Sequence, residues 1–354
     1  LRSGPRLQQP DYTVIVPVTD ALLEAHSGIN VRRFLQTAVA LAADNDGRVV
    51  LLGVEAVPDE AALESVRAYV QPGQQNNPDA TDTVATIDKR QRQLAEMATV
   101  AEELTPDVPV KPSVRAVTDV TEGVLDVLSG GSETAILLLR GTKLDEGWLL
   151  NRSTIETILD DAECNVFVEN MGVKEGENSL YVPDVVEHTV ASLADSDRTT
   201  IDSILLSVGT GPHSALAAEA ARAVARAADA PITVLHVVSP DASAAAKSDG
   251  EDLLEFAEYV LGSDVEAETE LREAADTTEE IVQEAKSHDF VSIGAPTQKS
   301  RLEQLVFGSV QQTVSELEEP TLLLSRDPDR TMRSLYYRWK RGIESTAEGG
   351  ESGD

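Results

Sequence analysis

Short apolar segments alternate with helix-like segments along the chain, and the whole alternating series occurs twice. Brief runs rich in Val, Ile and Leu are typical of strands that are buried on both faces of a parallel sheet. Strands that alternate with helices imply parallel sheets with right-handed crossover connections. The sequence therefore predicts the α/β class, as two tandem open parallel-sheet, Rossmann-like domains of about five strands each.

Each repeat supplies its own set of predicted elements. The predicted strands of the first repeat are 13–18, 49–54, 114–117, 135–139 and 165–168, and those of the second repeat are 203–208, 232–238, 267–271, 290–293 and 321–324. The predicted helices are 31–41, the two ends of 59–104, 120–128, 155–159, 215–228, 253–261, 278–285 and 310–317. The pattern Thr277-x-x-Glu280 predicts a capping box at the start of the helix 278–285.

Changes in composition along the chain indicate its domain boundaries. We expect a leader or linker at 1–11, a first domain at 12–170, a polar acidic linker at 171–200, a second domain at 201–326, and a basic amphipathic segment with a disordered acidic tail at 327–354. The chain begins with Leu1 rather than Met. We therefore expect it to be a piece of a longer polypeptide or a processed one.

Negative charge dominates the composition, with 62 acidic against 29 basic residues and a formal net charge of −33. Such an excess destabilises a compact state through self-repulsion unless salt screens it, and molar salt shortens the Debye length to about 3 Å. The acidic residues are spread along the whole chain, which is typical of a salt-adapted, halophilic protein. No basic stripe is present to neutralise phosphates, so we expect no nucleic-acid partner.

The sequence carries few signs of an oxidising or membrane environment. Cys164 is the one cysteine, so no intrachain disulfide can form, and a reducing cytoplasm is the expected location. No apolar run approaches the roughly 18 residues that a membrane helix needs, and no signal peptide is visible.

A glycine-containing loop in the second repeat has the features of an anion site. Gly294 ends a predicted strand, at the edge where open α/β sheets bind their ligands. Gly308 and Ser309 open the predicted helix 310–317, where free backbone N–H groups and the helix dipole favour an anion. The spacing therefore indicates a phosphate-binding loop.

The stretch from Ser292 to Val310 resembles the signature of the universal stress protein family, and the segments 203–209, 232–238 and 320–324 resemble its first, second and last strands. The resemblance implies the fold of the adenine nucleotide alpha hydrolases and a site for ATP or AMP. The residues that it places at this site are Ser207, Gly209, Val237, Ile293, Gly294, Thr297, Gly308, Ser309 and Val310.

Two positions depart from the family pattern. Thr297 stands where the family has the second loop glycine, and Gly209 stands where it has an aspartate after the first strand. An alternative interpretation is therefore that Gly294 and Gly308 only make the turns that the fold requires.

The first repeat departs further from the same pattern. Arg152 replaces the glycine that opens the helix, although Ser153 remains, and Thr19 occupies the aspartate position with Asp20 next to it. A side chain at 152 crowds the close approach that phosphates require. We expect this domain to be a structural partner without a ligand, the alternative being that Arg152 grips an anion directly.

Two other features bear on function. His213 lies in a loop at the ligand edge, where a role in the loop or in helix capping is favoured over that of a catalytic base because no nucleophile or metal ligand is suitably spaced. The segment 326–341 is basic and aromatic, with apolar residues at helical spacing. It is expected to pack on the protein's own surface or to contact a membrane or an acidic partner.

The sequence thus predicts a tandem universal stress protein module with a regulatory or sensing function and no enzymatic activity. Tandem pairs of this kind resemble the soluble C-terminal regions of haloarchaeal amino-acid permeases, which implies a position on the cytoplasmic face of a transporter. Expected partners are the transmembrane domain of such a transporter, the other domain of the chain, or a second copy in a homodimer. The alternatives are a free-standing cytosolic stress protein that acts as a non-binding dimerisation scaffold, or a slow ATPase.

Overall fold

A computed structural model describes residues 12–23, 30–70, 81–128, 133–142, 144, 152–171, 200–295, 320–328 and 336–340. The chain divides into two compact units, one formed mainly by Gln8–Val168 and the other mainly by Thr200–Asp354. They are called the first and second unit below.

Strands and helices alternate in both units. The first unit contains β1 (Thr13–Val18), α1 (Asp20–Leu23), α2 (Val31–Asp44), β2 (Arg48–Ala56), α3 (Glu60–Val70), α4 (Thr81–Leu104), β3 (Val110–Val117), α5 (Val120–Leu128), β4 (Thr134–Leu139), α6 (Thr154–Asp161) and β5 (Asn165–Asn170). The second unit contains β6 (Ile204–Ser207), α7 (Ser214–Ala228), β7 (Ile232–Val238), α8 (Ala244–Leu261), β8 (Ala267–Glu273), α9 (Thr277–Ala285), β9 (Phe290–Gly294) and β10 (Thr321–Arg326). Residues 336–340 are also helical.

The two units share one strand order. It is β3-β2-β1-β4-β5 in the first unit and, read in the corresponding direction, β8-β7-β6-β9-β10 in the second. β1 pairs in parallel with β2 and β4, and β6 pairs in parallel with β7 and β9, so the first strand of each unit lies at the centre of its sheet. This arrangement confirms the predicted class of tandem, Rossmann-like parallel sheets.

Aliphatic residues fill the interior of both units, as the low aromatic content predicts. The central strands are buried along most of their length, and five of the six residues of β4 are buried. Helices α2 and α7 pack Ala-rich faces against the strands, where Ala38 and Ala217 are fully buried. Small helix residues allow the helices to approach the sheet closely, which brings helix ends near the strand ends.

Strand β3 is longer than predicted, since it begins at Val110 rather than at residue 114. Pro112 lies inside it and is opposite Leu51 of β2. Proline lacks the N–H that a central strand must donate, and it is tolerated here because β3 is an edge strand among the described strands, with β2 as its neighbour.

Two helix starts in the second unit differ from the predictions. Helix α8 begins at Ala244 rather than at residue 253, and Ser243 caps it by accepting a hydrogen bond from the Ala246 N–H. The cap of α9 is Asp276, which accepts from the N–H groups of Thr278 and Glu279. The predicted Thr277 capping box was therefore wrong by one residue, since the carboxylate of Asp276 reaches two N–H groups. The predicted helix 310–317 lies outside the described residues.

Candidate functional site

The order of the chain reverses between β6 and β9 in the second unit. From β6 the chain moves outward through β7 to β8, then returns to the other side of β6 as β9. Open α/β sheets bind ligands outside the carboxyl ends of their strands at such a reversal, because the two flanking loops turn apart and leave a crevice. The carboxyl ends of β6 and β9 are therefore the candidate site.

The structure brings five of the predicted site residues to this edge. Ser207, the last residue of β6, is in register with Leu235 of β7 and with Ile293 of β9. Gly209 follows β6, Gly294 ends β9, and Val237 lies near the end of β7. Thr297, Gly308, Ser309 and Val310 lie outside the described residues, so their place at the edge stays a prediction.

Gly294 faces the start of helix α7 at very short range. A Cβ built on Gly294 would lie 2.8 Å from the His213 carbonyl carbon and 2.9 Å from the Ser214 nitrogen. Both are backbone atoms that cannot move aside cheaply, so only glycine fits here. Packing alone thus explains this glycine, and it also places the N-terminus of α7 directly at the end of β9.

The loop after β6 is open at two of its glycines. Within the described part of the chain, no atom beyond the neighbouring residues lies within 4 Å of a Cβ built on Gly209 or on Gly211. The Ser214 hydroxyl holds the start of this loop, because it accepts from the Gly209 N–H at 3.1 Å and donates to the Gly209 carbonyl at 2.9 Å. The loop is tied at its base, and none of the described residues fills the space beside its two glycines.

His213 occupies the N-cap position of α7 without capping the helix with its side chain. Its Nδ1 instead accepts a hydrogen bond from the backbone N–H of Asp327, just beyond β10, at 3.0 Å. The lone pair of Nδ1 is therefore engaged, so this nitrogen is not available as a base. Among the described residues, the His213 side chain therefore does not cap the first-turn N–H groups of α7.

Arg90 lies at the corresponding edge of the first unit, although no local sequence pattern indicates a role for it. This buried arginine of α4 donates to Asp20 at 2.5 Å and to Glu55 of β2 at 3.3 Å. Asp20 lies two residues beyond the end of the central strand β1, and its carboxylate is paired with Arg90 within the protein. Burial raises the pKa of Glu55 above its usual value, Arg90 lowers it, and Asp20 raises it further.

The predicted phosphate loop of the first unit ends in ordinary helix capping. Ser153 accepts from the Glu156 N–H at 3.1 Å, and the Glu156 carboxylate accepts from the Ser153 N–H at 3.1 Å. Arg152, which precedes this helix, forms an ion pair with Asp160 of α6. The Ser153 hydroxyl and the Arg152 guanidinium both have partners within the first unit.

His236 is the second residue that sequence analysis missed. Its Nδ1 lies 2.9 Å from the carbonyl oxygen of Val208, directly before Gly209. A histidine inside an apolar strand, followed on the next helix by Gly250, is a signal that could have indicated this contact.

The described residues lack both a metal-binding cluster and a membrane-spanning helix. They contain no group of three or more His, Cys, Asp or Glu side chains that could hold a metal ion. None of the helices placed in the structure has both the length and the apolar character of a membrane span.

Residues 200–317 match the model of the universal stress protein family. No curated protein matches the chain. A universal stress protein from Archaeoglobus fulgidus DSM 4304 has a similar solved structure, with 15% identity, 88% of this chain and 95% of that chain covered, and a TM-score of 0.49. The cytoplasmic domain of a prokaryotic cation chloride cotransporter is 14% identical, with 90% of this chain and 96% of that chain covered and a TM-score of 0.47. A universal stress protein from Archaeoglobus fulgidus in complex with dAMP is 16% identical, with 36% of this chain and 99% of that chain covered and a TM-score of 0.27.

Proposed function

We propose that the second unit, whose residues 200–317 match the universal stress protein family, is a regulatory domain that binds an adenine nucleotide, ATP or AMP. The proposed site is the carboxyl edge between β6 and β9. Binding there would report the nucleotide to the rest of the chain or to a partner, without chemical conversion of the ligand.

The open loop at the reversal of the strand order is the observation that carries this proposal. Gly209 and Gly211 leave space next to the end of β6, within the described part of the chain. Because Gly294 has no side chain, the start of α7 can lie directly against the end of β9. The first-turn N–H groups of α7 thus lie beside the open loop, in the arrangement that binds phosphate in other α/β folds.

The first unit supports a different role. Asp20 is paired with Arg90, and the Ser153 hydroxyl caps α6. The Asp20 carboxylate and the Ser153 hydroxyl are thus engaged within the protein. We propose that the first unit is a structural partner, so that each chain binds one nucleotide.

Attachment to a membrane transporter, self-association and a cytoplasmic location are part of the same proposal. They rest on the resemblance of the sequence to tandem permease regions and on its acidic composition. A slow ATPase is the less favoured alternative, because it would need a general base and a metal-binding acid at the phosphates, which a binding site does not require.

Calorimetric titration tests the proposed site. ATP and AMP, with and without Mg²⁺, are added to the full chain in molar KCl. We expect saturable heat from one site for the unaltered protein. Gly209→Trp and Gly308→Trp place a bulky side chain at the two glycines of the site and should weaken binding by at least about tenfold. Tyr337→Trp adds the same indole at an exposed position of the same unit and should leave binding unchanged.

Two results would contradict the proposal. An absence of heat with every nucleotide would leave the scaffold interpretation, with the glycines as turn formers. Equal affinity in Gly209→Trp would place the ligand elsewhere. Release of phosphate from ATP during the titration would favour the ATPase alternative.

A further inference from the structure

The two units place a glycine and a nitrogen-bearing side chain at opposite positions: one unit has the glycine on a strand and the larger side chain on a helix, and the other unit has the reverse. In the first unit the strand position is Gly53, opposite Val18 at the end of β1, and Arg90 comes from helix α4. In the second unit the strand position carries His236, next to the pair Ser207 and Leu235 that ends β6. The helix position facing it is Gly250 of α8.

Each glycine leaves room for the side chain opposite, and Leu94 at Gly53 and Leu271 at Gly250 lie equally close. A Cβ on Gly53 would lie 3.0 Å from Cγ of Arg90 and 2.9 Å from Cδ1 of Leu94. A Cβ on Gly250 would lie 2.8 Å from Cδ2 of His236 and 3.3 Å from its Nε2. In the first unit the strand carries the glycine and the helix carries the larger side chain, whereas in the second unit the helix carries the glycine and the strand carries the larger side chain.

The two side chains hold the end of the central strand in different ways. Arg90 donates to the side chain of Asp20, beyond β1. His236 lies 2.9 Å from the backbone carbonyl of Val208, the first residue beyond β6. A carbonyl oxygen can only accept, so Nδ1 of His236 carries the proton and donates it.

His236 supplies the donor at the point where the chain leaves the sheet. The Val208 N–H still bonds to the Leu235 carbonyl at 3.0 Å, as in a regular parallel ladder. The Val208 carbonyl bonds to the imidazole instead, and the next residue is Gly209. The Ser214 hydroxyl holds Gly209 from its other side. The start of the open loop is therefore fixed by two side chains.

We propose that His236 is a positioning residue for the ligand loop 209–213 of the second unit. Its Nδ1–H fixes the peptide between Val208 and Gly209, and Gly250 keeps the space in which the ring can lie. A loop fixed in advance loses less conformational entropy when a ligand binds, so the contact raises affinity without touching the ligand. This inference rests on the proposed nucleotide site.

A pair of substitutions separates the hydrogen bond from the packing of the ring. His236→Asn places an amide N–H donor where Nδ1 stands, whereas His236→Leu fills similar space without a donor. With ATP as the probe in molar KCl, His236→Leu should bind at least about tenfold more weakly than the unaltered protein, and His236→Asn within about threefold of it. Thermal unfolding of both variants checks that they fold.

Equal affinity of the Leu variant and the unaltered protein, or equal loss in the Leu and Asn variants when both are folded, would overturn the positioning role alone. A ¹⁵N NMR spectrum that shows His236 neutral with the proton on Nε2 would also overturn it. If the unaltered protein binds no ATP, the proposed function fails, and amide hydrogen exchange of residues 209–214 decides the remaining question. Faster exchange in the Leu than in the Asn variant supports the loop contact, and equal exchange refutes it.

Discussion

Glu55 shows how the charge of one carboxyl group depends on a partner from a distant part of the sequence. Burial raises its pKa above the usual value of 4.5, and the guanidinium of Arg90 opposes this shift. The net shift is upward, so the loss of solvation outweighs the attraction of Arg90. Arg90 therefore offsets part of the free-energy cost of burying the Glu55 carboxylate at the edge of the first unit. It does not add a strongly stabilising ion pair.

A pH series of Glu55→Gln tests this balance. Because the folded state binds the Glu55 proton more tightly than the unfolded state, the stability from the protonated form is present below about pH 4.5 and is lost as pH rises through the raised pKa. Gln stays neutral throughout. The free energy of unfolding of the variant minus that of the unaltered protein should therefore increase between about pH 4 and about pH 7.

Denaturant unfolding in molar KCl measures this difference. Glu96→Gln, at an exposed position of the same helix as Arg90, is the control and should show no such trend. A difference for Glu55→Gln that is constant with pH, or that decreases, would contradict the upward shift of its pKa.

The basic aromatic segment near the C-terminus packs as a helix on α8. Phe256 of α8 contacts the rings of Tyr336 and Trp339, with centroid distances of 5.3 and 5.4 Å. Lys340 lies 2.7 Å from both Asp249 and Asp252 of the same helix. Its hydrogen bonds to these carboxylates raise the pKa of Lys340, so its charge persists across the working pH range. The prediction that this segment packs on the protein's own surface is confirmed for residues 336–340, and 329–335 lie outside the described residues.

Trp339→Ala tests this packing between elements. The variant loses three ring contacts, with Phe256, Tyr259 and Tyr336. The free energy of unfolding of the second unit should therefore fall by about 1–2 kcal/mol. Circular dichroism during denaturant unfolding provides the measurement, since the substitution removes an indole reporter. Arg338→Ala alters an exposed neighbour and should change stability by less than about 0.5 kcal/mol. Equal stability of the Trp339 variant and the unaltered protein would show that the helix is not held on α8 in solution.

The formal net charge of −33 affects both units at once. Repulsion among the carboxylates acts over the Debye length, which falls from about 10 Å in 0.1 M salt to about 3 Å in 1 M salt. Screening therefore removes most of a term that disfavours the compact state.

We expect the midpoint of thermal unfolding to rise by at least about 4 °C between 0.1 and 2 M KCl, which corresponds to roughly 1 kcal/mol or more. Scanning calorimetry measures the midpoint, and choline chloride at equal ionic strength should produce a similar rise if screening is the cause. A midpoint that is independent of KCl would show that charge repulsion does not limit stability.

The order and type of the elements followed from local sequence, because a run such as Val49–Val54 or an Ala-rich helix such as 215–228 carries its periodicity within a few residues. The same is true of Gly294 and Gly209, whose positions at strand ends were predictable from the motif. The roles of Arg90, His236 and Gly250 were not. Arg90 and Asp20 are 70 positions apart, and His236 and Val208 are 28 apart. Such contacts depend on which helix face meets which strand end, and this is set when the helices pack on the sheet rather than by any local pattern.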